Sequence, residues 1–313
     1  MNKIINLEQE IHRLKKEKNA VILAHYYQED DIQDIADFIG DSLELSKKAK
    51  ATNADVIVFC GVVFMAEVAK ILSPDKTVII PDMNAGCSLE QSCQPDAFRE
   101  FTEKHSDAIV ISYINCSAEI KALSDIIVTS SNAERIIRSI DPNQKIIFAP
   151  DKYLGGYLIK KTGRDMILWN GTCMVHEQFS EKELVKLKTR YPESVVIAHP
   201  ECPEHLLNHA HHIGSTSSLL NHVNDNQDKD FIVLTEAGII HQMQKLAPKS
   251  TFYDVKGIDK EKAECIHCNT CPFMRLNTME KLYYALDTLK PQVNVDDSVY
   301  LKAKASLDRM LSY

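Results

Sequence analysis

The chain has 313 residues, 44% hydrophobic and 26% charged, with a formal net charge of −8. That is long enough for two or three domains with a real core, and it shows no basic excess for nucleic acid or an anionic membrane. No run of about 18 apolar residues occurs, which argues against a transmembrane helix, and the N-terminal MNKIINLEQEIHRLKKEKNA lacks the apolar core and cleavage site of a secretory signal. The expected location is the cytoplasm, without nucleic-acid or membrane partners.

In chain order, Ile4, Leu7, Ile11 and Leu14 first mark one face of an amphipathic helix. Short apolar, β-branched runs then predict strands at 21–25, 56–60, 77–81, 108–113, 126–130, 145–150, 166–169, 195–199, 212–215, 231–235 and 251–255, with helical patterns between them. Continuous apolar strands separated by helices indicate parallel sheets covered on both faces, so the class is α/β. A helical tail follows, at 278–289 and 297–312.

An internal repeat runs through this pattern. The polar residues closing the first strand of each third are His25, Tyr113 and His199, and seventeen positions after each comes a hydroxyl: Ser42, Ser130 and Thr216 (25 to 42, 113 to 130, 199 to 216). Each hydroxyl follows a short apolar stretch and precedes a helical pattern. The third strand of each copy ends in Cys60-Gly61, Pro150-Asp151 or Thr235-Glu236. The chain thus reads as three β-α-β-α-β-α-β units, 1–88, 89–174 and 175–260, with the tail 261–313 expected to pack back on the first.

The nine cysteines stand out in a reducing compartment, where thiols serve as metal ligands, nucleophiles or small core residues. Cys87 lies in PDMNAGCSL after the fourth strand of the first unit, and Cys173 in WNGTCMVHE at the matching place in the second. The third unit has no cysteine there, but ECIHCNTCPFM follows with Cys265, Cys268 and Cys271. One thiolate from each unit would leave a metal centre with an open coordination position, the arrangement metal catalysis needs. Taken alone, the C-terminal three also fit a local zinc or ferredoxin-like site. Cys93 and Cys116 read as packing or surface thiols, Cys60 as a residue near a cleft, Cys202 as a bystander, and His209, His211 and His212 as a solvated helix end.

Ligands of open α/β sheets bind beyond the carboxyl ends of the strands. There the chain has His25-Tyr26-Tyr27, Tyr113-Ile114-Asn115 and His199-Pro200-Glu201. Ser42, Ser130 and Thr216 are candidate anion holders at helix N-termini, or plain N-caps. Glu201 and Tyr27 are the acid–base candidates, on the same strand sides as His199 and His25.

LAHYYQ, DIADFIGDSLELSKKA, PDMNAGCSL, SYINCSAEIKALSD, FAPDKYLGGY, WNGTCMVHE, AHPEC, STSSL and CPFMRLNTMEKL, in this order from about residue 20 to 290, resemble the quinolinate synthase family of bacterial NAD biosynthesis. The resemblance implies three homologous αβα units, each with a parallel four-stranded sheet, about a pseudo-threefold axis. It also implies condensation of iminoaspartate (iminosuccinate) with dihydroxyacetone phosphate to quinolinate, phosphate and water. One [4Fe–4S] cluster would have three cysteine ligands, Cys87, Cys173 and Cys271, and one open iron acting as Lewis acid. The family's substrate-binding positions match His25, Ser42, Tyr113, Asn115, Ser130, His199, Glu201 and Thr216, and its catalytic positions match Tyr27 and Glu201. The extra pair Cys265 and Cys268 belongs to only part of the family. Functional coupling to the enzyme that supplies iminoaspartate is a further implication. Two rival readings are a radical enzyme with the same three-cysteine layout, as in diphthamide biosynthesis, and a metal or redox sensor built on Cys265, Cys268 and Cys271.

Overall fold

The computed structural model describes residues 6–258, 265–266 and 269–313, with only the backbone for 258, 265 and 266; Cys268 and the Cys265 thiol lie outside the described residues. Twelve strands form three four-stranded parallel sheets. The first holds β1 (Ala20–His25), β2 (Phe38–Gly40), β3 (Val56–Cys60) and β4 (Thr77–Ile79). The second holds β5 (Ala108–Tyr113), β6 (Ile126–Val128), β7 (Lys145–Ala149) and β8 (Ile167–Leu168), and the third β9 (Val195–Ala198), β10 (His212–Ile213), β11 (Phe231–Leu234) and β12 (Phe252–Asp254). The order is the same each time: β2-β1-β3-β4, β6-β5-β7-β8 and β10-β9-β11-β12. The α/β class and the three αβα units are as expected.

In this order the chain leaves the first strand of a unit toward one side and returns on the other. The first and third strands therefore flank a topological switch point, where a crevice opens beyond their carboxyl ends. The register places Ala24 beside Cys60, Ser112 beside Ala149 and Ala198 beside Leu234. The residues that follow these pairs are the polar ones picked out by the repeat.

Burial on both sheet faces explains why the strands read as unbroken apolar runs. Ile22, Ala24 and Val58 pack under Ile11 and Leu14 of the helix Leu7–Glu17 and under Leu282, Ala285 and Leu286 of the helix Met279–Thr288. The other face of the first sheet shares one core with the second, joined by Ala303, Leu307 and Met310 of the helix Asp297–Leu311. The third sheet has its own two clusters, and Tyr26 and Tyr27 of the first unit pack against one of them.

β2 was not assigned from sequence as a strand. It has three residues on a sheet edge, Phe38 is 38% exposed, and the segment continues the helix-like spacing of its neighbours. A short antiparallel pair, Gly257–Ile258 with Cys265–Ile266, joins the third unit to the tail. Among the described residues no helix is long and apolar enough to cross a membrane.

Candidate active site

The carboxyl ends of the three sheets face one cavity. His25, Tyr27, Ser42, Tyr113, Asn115, Ser130, His199, Glu201, Thr216, Cys87, Cys173 and Cys271 all line it. The switch-point topology brings them together: two residues after the first strand of a unit, a side chain still reaches the crevice between units.

His25 and His199 are held alike. The Tyr27 backbone N–H donates to His25 Nδ1 at 3.2 Å, and the Glu201 backbone N–H to His199 Nδ1 at 3.4 Å. Burial lowers the His25 pKa to about 4 and that of His199 to about 3, against the opposing pull of nearby carboxylates. Both rings are therefore neutral at pH 7 with the proton on Nε2, and the His199 Nε2 lies 3.3 Å from Ser130 Oγ. The cavity lining contains no lysine or arginine among the described residues, so an anion here meets N–H and O–H dipoles rather than side-chain cations.

The three hydroxyls are not the N-caps, the plain alternative for them. Asp41 caps the helix Ser42–Ala51, accepting from the Leu43 and Glu44 backbone N–H groups at 3.0 and 2.9 Å. Ser215 caps Thr216–Asp225, and Asn132 stands at the start of Ala133–Ser139. Asp41 and Ser215 take the capping duty one residue before Ser42 and Thr216, and Asn132, without a side-chain capping bond, stands two residues after Ser130, which leaves all three hydroxyls on the cavity wall. Asp41 also ties the units together: its Oδ2 accepts from Ser131 of the second unit at 2.5 Å and from Ser217 of the third at 2.8 Å.

Glu201 is buried in a donor network. Its Oε1 accepts from the Tyr113 hydroxyl at 2.7 Å, and its Oε2 lies 3.0 Å from His176 Nδ1. Burial alone would raise its pKa, but His176, His199 and the Tyr113 hydrogen bond outweigh burial and hold it well below the usual carboxylate range. Glu201 is a carboxylate at neutral pH. Tyr27 bonds Thr235 Oγ1 at 2.7 Å, and burial raises its phenol well above 10.

The thiols come from three separate loops. Cys87 precedes the short helix Ser88–Gln91, Cys173 takes the same place before Met174–Glu177, and Cys271 opens the turn into Met274–Leu276. Burial raises all three pKa values; Cys271 adds to the rise at Cys87, and both add to the rise at Cys173. Neighbouring half-buried thiols that oppose one another's ionisation, in a cavity with no lysine or arginine among its described lining residues, are poorly placed as free thiolates. They are well placed around a positively charged group that offsets the repulsion. Cys173, His176 and Glu201 also offer ligand atoms within 4.8 Å of one another, the one such group among the described residues. The donor set fits a metal or iron–sulfur site.

Glu236 secures the third loop. It accepts from the Cys271 and Gly238 backbone N–H groups at 3.0 and 2.6 Å and from Arg275 at 3.2 Å. A Cβ on Gly238 would come within 3.0 Å of the Tyr27 backbone, so only glycine lets the third unit approach the first this closely.

The family model described as quinolinate synthetase A protein matches residues 9–312. The chain belongs to the quinolinate synthase family. It is 59% identical over 308 residues to the quinolinate synthase of Ehrlichia chaffeensis, covering 98% of each chain. It is 58% identical over 301 residues to that of Nostoc punctiforme, covering 96% of this chain and 91% of the relative. The quinolinate synthase of Synechocystis sp. is 57% identical over 302 residues, with 96% and 93% covered.

Within this quinolinate synthase scaffold the other cysteines and histidines sort clearly. Cys93, Cys116 and Cys202 are buried in apolar clusters. Cys60 is core as well and does not line the cavity, because it still belongs to β3. His209 bonds Glu181, His211 accepts from the Val196 backbone, and His212 stacks on His222, so the three do not converge. Sequence reasoning missed His176 and Asp41, and it took Thr235 and Glu236 only as strand-end landmarks. Cys173-x-x-His176, one helical turn apart, was a usable signal for the first; the others are defined by contacts between units.

Proposed function

We propose that this chain makes quinolinate from iminoaspartate and dihydroxyacetone phosphate, releasing phosphate and water, with a [4Fe–4S] cluster on Cys87, Cys173 and Cys271. The observation that carries this is the convergence of Cys87 of the first unit, Cys173 of the second and Cys271 of the tail that follows the third on the cavity lined by the polar strand ends. When bound, the cluster supplies a Lewis-acidic iron with an open coordination position.

The protein's own groups do the rest. Ser42, Ser130 and Thr216, with the neutral Nε2–H groups of His25 and His199, hold the phosphate and carboxylates by hydrogen bonds. Tyr113 holds Glu201 in place. Asn115 Oδ1, buried without a partner, accepts from a substrate N–H or O–H. Glu201 takes protons as a carboxylate, and Tyr27 exchanges them as a phenol during isomerisation and dehydration. Burial of the cavity keeps water from the hydrolysable imine. The functional units are 1–88, 89–174 and 175–260 with the tail 261–313. The enzyme works on small molecules in the cytoplasm, coupled to the enzyme that supplies iminoaspartate.

The test is anaerobic purification followed by incubation with dihydroxyacetone phosphate and iminoaspartate generated in the same vessel by an aspartate oxidase. Chromatographic appearance of quinolinate, dependent on both substrates, is expected. Protein with a full complement of iron and sulfide that yields no quinolinate would overturn the reading.

A further inference from the structure

We propose that Lys281 is a positioning residue for the three-thiol site: its ammonium fastens the loop that carries Cys87 to the turn that carries Cys271, and so slows the loss of a bound cluster from that corner. The proposal rests on the cluster reading above.

The Cys87 loop is built on Asp82, five positions before the cysteine. Asp82 Oδ1 accepts from the Asn84 backbone N–H at 2.8 Å and from the Asn84 side-chain amide at 3.0 Å, and the Asp82 carbonyl accepts from the Ala85 N–H at 3.1 Å. These bonds turn the chain. The Ala85 carbonyl then accepts from the Val63 N–H at 2.8 Å, at the start of the helix Val63–Leu72. Burial would raise the Asp82 pKa, but Lys281 and the Asn84 N–H hold it below the ordinary range. Its Oδ2 is therefore an anionic acceptor at neutral pH.

The Cys271 turn ends at Leu276. It is closed internally: the Arg275 N–H donates to the Cys271 carbonyl and the Leu276 N–H to the Phe273 carbonyl, both at 3.2 Å. Lys281, in the first turn of the helix Met279–Thr288, donates to the Leu276 carbonyl at 2.7 Å and to Asp82 Oδ2 at 2.6 Å. Two of the three ammonium protons thus join segments 199 positions apart. The loops also touch beside Cys87, where a Cβ on Gly86 would meet the Phe273 ring at 3.7 Å.

The remaining ties run elsewhere. Asn277 bonds the Gly61 carbonyl at 2.8 Å and Glu236 bonds the Cys271 N–H at 3.0 Å, which anchor the turn to the end of β3 and to the third unit. On the other side of Cys87, the Met174 N–H donates to Ser88 Oγ at 3.1 Å, joining the residues that directly follow Cys173 and Cys87. Lys281 adds the tie between the Cys271 turn and the Cys87 loop itself. Its side chain and that of Asp82 are 42% and 13% exposed, and an ion pair so placed adds little to global stability. Losing a cluster requires only that its thiol corners part, a local opening, and that is the motion this pair resists.

The experiment uses anaerobically purified, cluster-loaded protein: wild type, Lys281→Met, Lys281→Arg and Asp82→Asn. It follows iron release to bathophenanthroline disulfonate, identifies by iodoacetamide and peptide mass spectrometry which cysteine is alkylated first, and records urea unfolding. We expect Lys281→Met to release iron about three- to tenfold faster than wild type, with Cys271 alkylated ahead of Cys173 and the unfolding midpoint unchanged. Lys281→Arg should return the rate to within about twofold. A wild-type release rate in Lys281→Met would overturn the proposal, as would a wild-type order of alkylation or a rate in Lys281→Arg as fast as in Lys281→Met. A midpoint that falls in step with faster release would show a general structural role and overturn it too. If Lys281→Met accumulates no cluster, Asp82→Asn decides: faster release with an unchanged midpoint supports the tie, and a wild-type rate overturns it. Wild type that holds no iron and sulfide would instead refute the cluster reading, and the two failures are distinct.

Discussion

Replacing Glu201 with Gln preserves volume and removes one charge from the centre of the site. Both native neighbours of the carboxylate are donors, Tyr113 at 2.7 Å and His176 Nδ1 at 3.0 Å. An amide has one acceptor oxygen, so its NH2 must face one of them. The least costly arrangement leaves Tyr113 on the oxygen and sets the NH2 against His176. Two charge-assisted hydrogen bonds become neutral ones, a loss of about 1 kcal/mol each, and relief of the buried charge offsets part of it. Global stability should change by no more than about 2 kcal/mol, read from urea unfolding. Turnover should fall at least about 10²-fold, the scale of a lost general base, while iron content and quinolinate binding persist. Glu201→Gln with kcat within about threefold of wild type and a full cluster would refute the assignment. A loss of stability well above 2 kcal/mol would show that the carboxylate is there for packing.

Asp41→Asn keeps the helix cap through Oδ1 but sets an NH2 against Ser131 and Ser217, which now bond Oδ2 at 2.5 and 2.8 Å. Loss of about 1–2 kcal/mol of alignment between units should raise KM for dihydroxyacetone phosphate about 5- to 30-fold without bleaching the cluster, measurable by steady-state kinetics. The pH dependence of stability follows from His25, whose pKa drops to about 4 in the folded state chiefly by burial. The unfolded chain binds the proton first, so stability is complete above about pH 6.5 and declines as pH falls toward 4. The loss at pH 5 should be about 2 kcal/mol at most from this residue. Urea titrations of wild type and His25→Gln at pH 7 and pH 5 should show a smaller decline in the variant; equal declines would count against the buried neutral imidazole.

The sheets were legible because strands buried on both faces, such as VIVFC at 56–60, leave no polar alternation to confuse the reading. β2 escaped because Phe38 and Ile39 sit on an edge, too few and too exposed to break a helical pattern. Several predicted strands ran past their observed ends, 126–130 against Ile126–Val128 for example, since the residues that leave the ladder are the ones turning toward the cavity. The repeat led to His25, Ser42, Cys87, Tyr113, Ser130, Cys173, His199 and Thr216 on the cavity wall because a common topology puts matching positions at matching places, whereas Cys271 was singled out by the family resemblance. His176, Thr235, Asp41 and Glu236 acquire meaning only where units meet. Thr235 directly follows β11 in sequence, yet its partners are Tyr27, 208 positions away, and His176, 59 away, and no local pattern records such contacts.

The central claim is that Cys87 of the first unit, Cys173 of the second and Cys271 of the tail together hold a single iron–sulfur cluster. Its most direct test is iron and sulfide per chain, with visible absorbance, in anaerobically purified Cys87→Ala, Cys173→Ala and Cys271→Ala. Each should lose the cluster while remaining folded by circular dichroism, and Cys93→Ala and Cys116→Ala, altered in the apolar core, should retain it. A full cluster in any of the first three would contradict the account.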